Sequence, residues 1–164
     1  MNELQQFLEN YEKTRPKKQP KPPYKKPASV RQLEDDVFEQ KRLKHPDVPF
    51  LLKHQYRDDS ANGLTACVVA WLQLHGYFAG RINVTGTYSK KLGKYIHSGS
   101  RRGMADITAI IGGKHVSVEI KHGHDKMREA QLKVKHEVEQ AGGVYIVAST
   151  FDDFLEKINK HLII

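Results

Sequence analysis

The stretch GMADITAIIGGKHVSVEIKHGHDKMREAQ, residues 103–131, decides the fold. Two short apolar runs, 104–111 and 115–122, flank Gly112-Gly113-Lys114. A glycine-bearing connection of that length between such runs signals an antiparallel hairpin. Downstream, Met127, Ala130, Val134, Val138 and Ala141 recur at helical spacing, and Gly142-Gly143 stops the helix. VYIVA (144–148) then reads as a short buried strand. Thr150 with Asp153 caps a last helix bearing Phe151, Phe154, Leu155 and Ile158. Upstream, Leu64, Cys67, Val68, Trp71 and Leu72 share one helical face, with Ser60 or Asn62 as cap and Gly76 as stop. Residues 77–88 read as a strand with a glycine break, and the basic, glycine-rich 89–103 as a loop. The order helix, strand, hairpin, helix, strand, helix predicts an α/β fold, a mixed sheet with helices on its faces. The second hairpin strand, the helix that follows it and the strand at 144–148 form a βαβ crossover in this reading.

The hairpin carries charges where a strand covered by helices should not. Val116, Val118 and Ile120 point one way, and Ser117, Glu119 and Lys121 the other. A buried carboxylate or ammonium is costly unless it pairs or binds something. A symmetric register about Gly112-Gly113 sets Asp106 opposite Glu119 or one residue away. Two carboxylates there would repel, and a divalent cation between them removes the conflict. Hard oxygen ligands in that number suit Mg²⁺ or Mn²⁺. The bland alternative is an edge-strand salt bridge between Glu119 and Lys121. Spacing alone decides nothing, because Glu39-Gln40-Lys41 repeats it in a polar helical stretch.

Composition narrows the partners. The 164-residue chain has a formal net charge of +8 and a pI near 9.5, which favours anionic partners such as nucleic acid. Its one cysteine, Cys67, rules out an internal disulfide framework and reads as a small buried hydrophobe. No apolar run approaches the ~20 residues of a membrane span, and MNELQQFLENYEK does not read as a signal peptide. Residues 1–13 are expected to form a short helix. The Lys/Pro-rich 15–27 reads as an extended basic arm, either a grip on phosphates or a solubilising linker. Residues 30–44 read as a polar helix and 45–60 as an irregular lead-in. The expected division is an arm over 1–58 and a folded domain over 59–164. Arg81, Lys90, Lys91, Lys94, Arg101 and Arg102 are expected to contact the phosphates of a nucleic-acid partner. Tyr88 and Tyr95 could stack on bases, although packing within the protein is the plainer reading of each. His122 and His124 are read as structural or phosphate-contacting rather than as zinc ligands.

GMADITAII, then VSVEIKHGHDKMREAQ, then QAGGVYIVASTFDDF resembles the VRR-NUC branch of the PD-(D/E)xK nuclease superfamily, over residues 62–158. The resemblance implies a restriction-endonuclease-like core and a Mg²⁺- or Mn²⁺-dependent DNA endonuclease. It implies action at flaps or Holliday junctions in phage or bacterial replication, repair or recombination, in the cytoplasm of a bacterial or phage-infected cell, and as a homodimer. Asp106 and Glu119 would be metal ligands with the Ile120 carbonyl, Lys121 the catalytic lysine, and Gln131 a further residue of the site. One departure stands out. The family often has a glutamate early in the first helix, where this chain has Asn62 and no carboxylate between Ser60 and His75. Asn62 would offer a neutral oxygen instead, unless Asp58 or Asp59 reaches in. That gap keeps a rival reading open, a non-catalytic nucleic-acid-binding module of the same fold. A third reading is an interaction protein whose arm docks an acidic partner.

Overall fold

The computed structural model describes residues 5–6, 23–82, 86–96 and 99–162. The expected helix over 1–13 and most of the arm over 15–27 lie outside the described residues. In chain order the elements are α1 (Ala28–Lys44), α2 (Ala61–Leu74), β1 (Phe78–Arg81), β2 (Thr87–Ser89), β3 (Lys94–Ile96), β4 (Ile107–Ile111), β5 (Lys114–Ile120), α3 (Glu129–Gln140), β6 (Val144–Ala148) and α4 (Phe151–Leu162). The described residues thus form an α/β protein with a mixed four-stranded sheet, order β1-β4-β5-β6, and a separate two-stranded hairpin, β2–β3.

Gly112 and Gly113 make the turn between β4 and β5, and Ile111 pairs with Lys114 across it. Both glycines have positive φ, 56° and 77°. That is the two-residue type I′ turn, whose twist matches that of the strands it joins. β5 runs antiparallel to β4 and parallel to β6, so α3 is the crossover of a βαβ unit, as the sequence predicts. β5 is therefore an interior strand: the Glu119–Lys121 salt bridge of the bland reading forms, but not on an edge strand.

Period-two alternation gives the sheet two different faces. Ile107, Ala109, Ile111, Val116, Val118, Ile120, Ile146 and Ala148 face one core, together with Leu64, Cys67, Val68 and Leu72 of α2 and Phe151, Phe154 and Ile158 of α4. Burial of each Val, Leu, Ile or Phe among them contributes roughly 1.5–3 kcal/mol. Ser60 caps α2 by accepting from the Gly63 N–H at 3.1 Å. The opposite face is covered by α3 through a smaller cluster of Ala105, Val134 and Tyr145, with Met104, Met127, Val138 and Val147 around it.

One expectation changes and one is extended. The strand expected over 77–88 ends at Arg81, and Thr87–Ser89 leaves the main sheet to pair with Lys94–Ile96, inside the stretch read as a loop. Each of these strands has three residues, too few to show a period. The helix read as polar, α1, also belongs to the core: Val30 and Leu33 are fully buried against it. The core therefore draws on residues upstream of the expected boundary at 59. No helix of the described residues is long and apolar enough to cross a membrane.

Candidate active site

Pairing of β4 with β5 fixes Ile107 opposite Val118. Asp106 is the residue just before that ladder, and its charge lies near enough to Glu119 to act on it. Asp106 is held there from two sides. Its Oδ2 accepts from the Ile120 N–H at 2.9 Å, and its carbonyl accepts from the Ile82 N–H at 2.7 Å, extending the β1–β4 ladder. Its Oδ1 has no protein partner among the described residues.

Glu119 is 2% exposed and Lys121 7%, both on the α3 side of the sheet. The Lys121 Nζ lies 2.9 Å from Glu119 Oε1, 3.0 Å from Gln131 Oε1 and 3.2 Å from Asp125 Oδ2. Gln131 joins the pair at the start of α3. Its amide N–H donates to Glu119 Oε1, and its oxygen also accepts from the Arg128 N–H at 3.0 Å, satisfying a donor at the helix start. An amide suits this position because it offers an acceptor to the ammonium and a donor to the carboxylate. Tyr145, on β6, directs its hydroxyl at Glu119 Oε2 from 3.5 Å.

The electrostatics follow from burial. Desolvation raises the Glu119 pKa, the hydrogen bond from Lys121 opposes it, and the nearby Asp106 charge adds to the rise; the net shift is upward. Burial pushes Lys121 down, but the hydrogen bonds and charges of Glu119 and Asp125 outweigh it, so its pKa is raised. Lys121 is an ammonium at neutral pH. Exposed Asp125 is held below the usual carboxylate range by its bond to Lys121. Burial, followed by the Glu119 charge, raises the Tyr145 phenol.

A hard divalent cation suits these groups. Two carboxylates, Asp106 and Glu119, lie close enough to interact through their charges. The Ile120 N–H points at Asp106, and a residue's N–H and C=O project to the same side of a strand, so its carbonyl faces that way too. Among the described residues no group of three or more His, Cys, Asp or Glu side chains is positioned to hold a metal. A cation here would complete its shell with water or substrate oxygens, as Mg²⁺ does.

The other expected residues divide. The neutral oxygen expected of Asn62, its Oδ1, accepts from Arg81 at 2.8 Å in an exposed side-chain pair. Asp58 is buried and committed to structure, accepting from the Tyr24 hydroxyl at 2.7 Å and from the Phe151 N–H at 3.2 Å, at the head of α4. Asp59 pairs with Arg57 at 2.5 Å. Lys90 and Lys91 lie in the turn of the small hairpin and Lys94 on β3. Arg101 is engaged by Glu137 of α3 at 2.6 Å. Arg102 lines a cavity of about 670 Å³ with Gly103, Met104, Arg128, Gln131 and Lys133. Gly103 has φ +86°, and a Cβ there would lie 2.4 Å from the Ala130 carbonyl oxygen, so glycine lets the lead-in to Asp106 touch α3. Cys67 is buried, its thiol pushed up to about 12 by desolvation.

Sequence reasoning missed four residues here. Asp125 had a signal, four residues beyond Lys121, but the two do not share a helix. Tyr145 reads as plain core. Arg128 and Lys133 read as solvated helix surface, and only the packing of Gly103 on α3 brings them around the cavity with Arg102. Comparison of the chain with protein-family models, with curated proteins and with solved structures found no match.

Proposed function

We propose that this protein is a metal-dependent phosphodiesterase acting on DNA, with a PD-(D/E)xK-type site of the VRR-NUC kind. The observation that carries the reading is the Asp106 carboxylate, bonded to the Ile120 N–H and close enough for its charge to act on Glu119, with the Lys121 ammonium 2.9 Å from the buried Glu119. Asp106, Glu119 and the Ile120 carbonyl would hold Mg²⁺ or Mn²⁺. When bound, such an ion supplies charge stabilisation to a transferring phosphoryl group and makes its water a nucleophile near neutral pH. Lys121 is held protonated, so it works as a fixed positive charge on the phosphate oxygens and not as a proton acceptor. Gln131 keeps Lys121 and Glu119 in register with the start of α3. Branched DNA is the substrate class of this reading. A two-fold homodimer would offer two sites to a symmetric junction.

A second reading has one specific observation behind it. Asn62 accepts from Arg81, Asp58 from Tyr24 and Phe151, and Asp125 is bonded to Lys121, so each candidate for a further metal oxygen already has a protein partner. A fold of this kind that binds nucleic acid without cutting it is therefore the alternative. Cleavage of labelled linear, flap and four-way-junction DNA in Mg²⁺, Mn²⁺ or EDTA separates the two. The expected result is metal-dependent cutting that falls by about 10²-fold or more in Lys121→Ala. DNA binding in EDTA and the thermal melt then serve as controls for a folded variant. Tight binding with no cutting in either metal would replace the enzyme by the binding module.

A further inference from the structure

The β2–β3 hairpin stands apart from the main sheet, and its residues are absent from both apolar clusters. Isolated two-stranded hairpins are marginal in water, so an exposed one gains little for the fold. This one nevertheless displays apolar groups. Tyr88 and Tyr95 are cross-strand partners with ring centroids 5.5 Å apart in an edge-to-face pair, and they are 52% and 69% exposed. Leu92, in the turn, is 58% exposed. Lys90, Lys91 and Lys94 flank it in sequence, and no Asp or Glu occurs anywhere from residue 83 to 105. The excursion that carries the hairpin is rooted at the candidate site. It leaves the sheet after Ile82, which is bonded to the Asp106 carbonyl, and returns at Asp106 itself.

We infer that the hairpin is a finger that engages accessible base faces of nucleic acid, single-stranded or at a branch point. Tyr88 and Tyr95 offer ring surface for stacking. Leu92 is an apolar wedge of the kind that enters an unstacked base step. The three lysines hold the flanking phosphates. Intact duplex offers base faces only at its ends, so the finger discriminates against it. The acid-free surface selects a polyanion over an apolar protein partner or a second copy of this equally basic chain. The inference depends on nucleic acid being the ligand, as in the function proposed above, and not on cleavage.

The test uses the full chain in EDTA. Fluorescence anisotropy is measured on an internally labelled, hairpin-capped duplex, which has no open end, and on the same duplex opened into a fork with 2-aminopurine in its unpaired arm. Wild type should bind the fork more tightly and change the 2-aminopurine emission. Tyr88→Ala and Tyr95→Ala should each weaken fork binding roughly five- to hundredfold, with duplex binding changed less than about twofold and the emission change lost. Leu92→Ser should act in the same direction. Thermal melts should match wild type, since these side chains are outside the core. Equal weakening on fork and duplex, or none on either, would overturn the finger. A hairpin variant that instead changes sedimentation of the protein alone would reassign the surface to self-contact. If wild type binds no nucleic acid, both proposals fail. Fork-selective binding that depends on the tyrosines, without cutting in Mg²⁺, sinks only the catalytic one. Cutting with unaltered hairpin variants sinks only the finger.

Discussion

At the residue scale, Glu119 is held in place against its own desolvation. Burial raises its pKa, Lys121 only partly offsets the rise, and Asp106 adds to it. The folded state therefore keeps the Glu119 proton to higher pH than the unfolded chain does. The sign is opposite to that of a salt-bridged surface carboxylate. Between the ordinary glutamate value and the raised one the folded state binds more protons, so stability falls as pH rises through that window and recovers as pH falls. Urea midpoints of wild type and Glu119→Gln, measured in EDTA, should move apart in favour of wild type as pH falls through the window. Parallel curves would show that Glu119 is not perturbed. A bound cation needs the ionised carboxylate, so Mg²⁺ or Mn²⁺ affinity should rise with pH over the same window, with proton release visible by calorimetry in two buffers.

At the scale of elements, the β4–β5 turn sets the site, because a slip of one residue would move Glu119 and Lys121 to the other face. Gly112 and Gly113 both sit at positive φ, where a side chain costs about 1–2 kcal/mol per residue. Gly112→Ala combined with Gly113→Ala should lower stability by roughly 2–4 kcal/mol, while Gly112→Asn should be tolerated, since asparagine suits the first position of this turn. Chemical denaturation measures both, and an unaffected double-alanine variant would remove the turn from the argument. The same turn explains what was legible in the sequence. Two glycines between alternating strands announce the hairpin, and the charges breaking the alternation announce Asp106, Glu119 and Lys121. The helix and glycine pair that follow announce α3 and β6. Legibility fails where pattern is short or burial is sparse. Strands β2 and β3 have three residues each and lie in a glycine-rich basic run. Of the 17 residues of α1 only Val30, Leu33 and Glu34 are buried, so its composition reads as polar. The placing of Arg128 and Lys133 around one cavity with Arg102 depends on the approach of Gly103 to α3, a contact between segments that no local spacing encodes.

For the molecule as a whole, the buried side chains of α1 join segments that look separate in sequence. Val30 and Leu33 sit in the same core as Leu64, Val118 and Phe154. Buried Glu34 accepts from Lys26 at 2.5 Å and from the Tyr56 N–H at 2.6 Å, tying the entry to α1 to the stretch before α2. The Tyr24 hydroxyl reaches Asp58, whose other oxygen holds the first N–H of α4. Removing residues 1–58 would strip the core of two fully buried apolar side chains, worth roughly 1.5–3 kcal/mol each. It would also remove Asp58 from the head of α4. Against a total domain stability on the order of 5–15 kcal/mol, losses on that scale are enough to abolish a cooperative fold. A chain beginning at Asp59 should therefore melt without a sharp transition and bind a hydrophobic dye, whereas one beginning at Pro23 should keep the sharp transition of the full chain. Calorimetry on the two truncations decides it. A cooperative melt from the shorter one would return α1 to the status of an appended arm and leave the folded unit at residues 59–164.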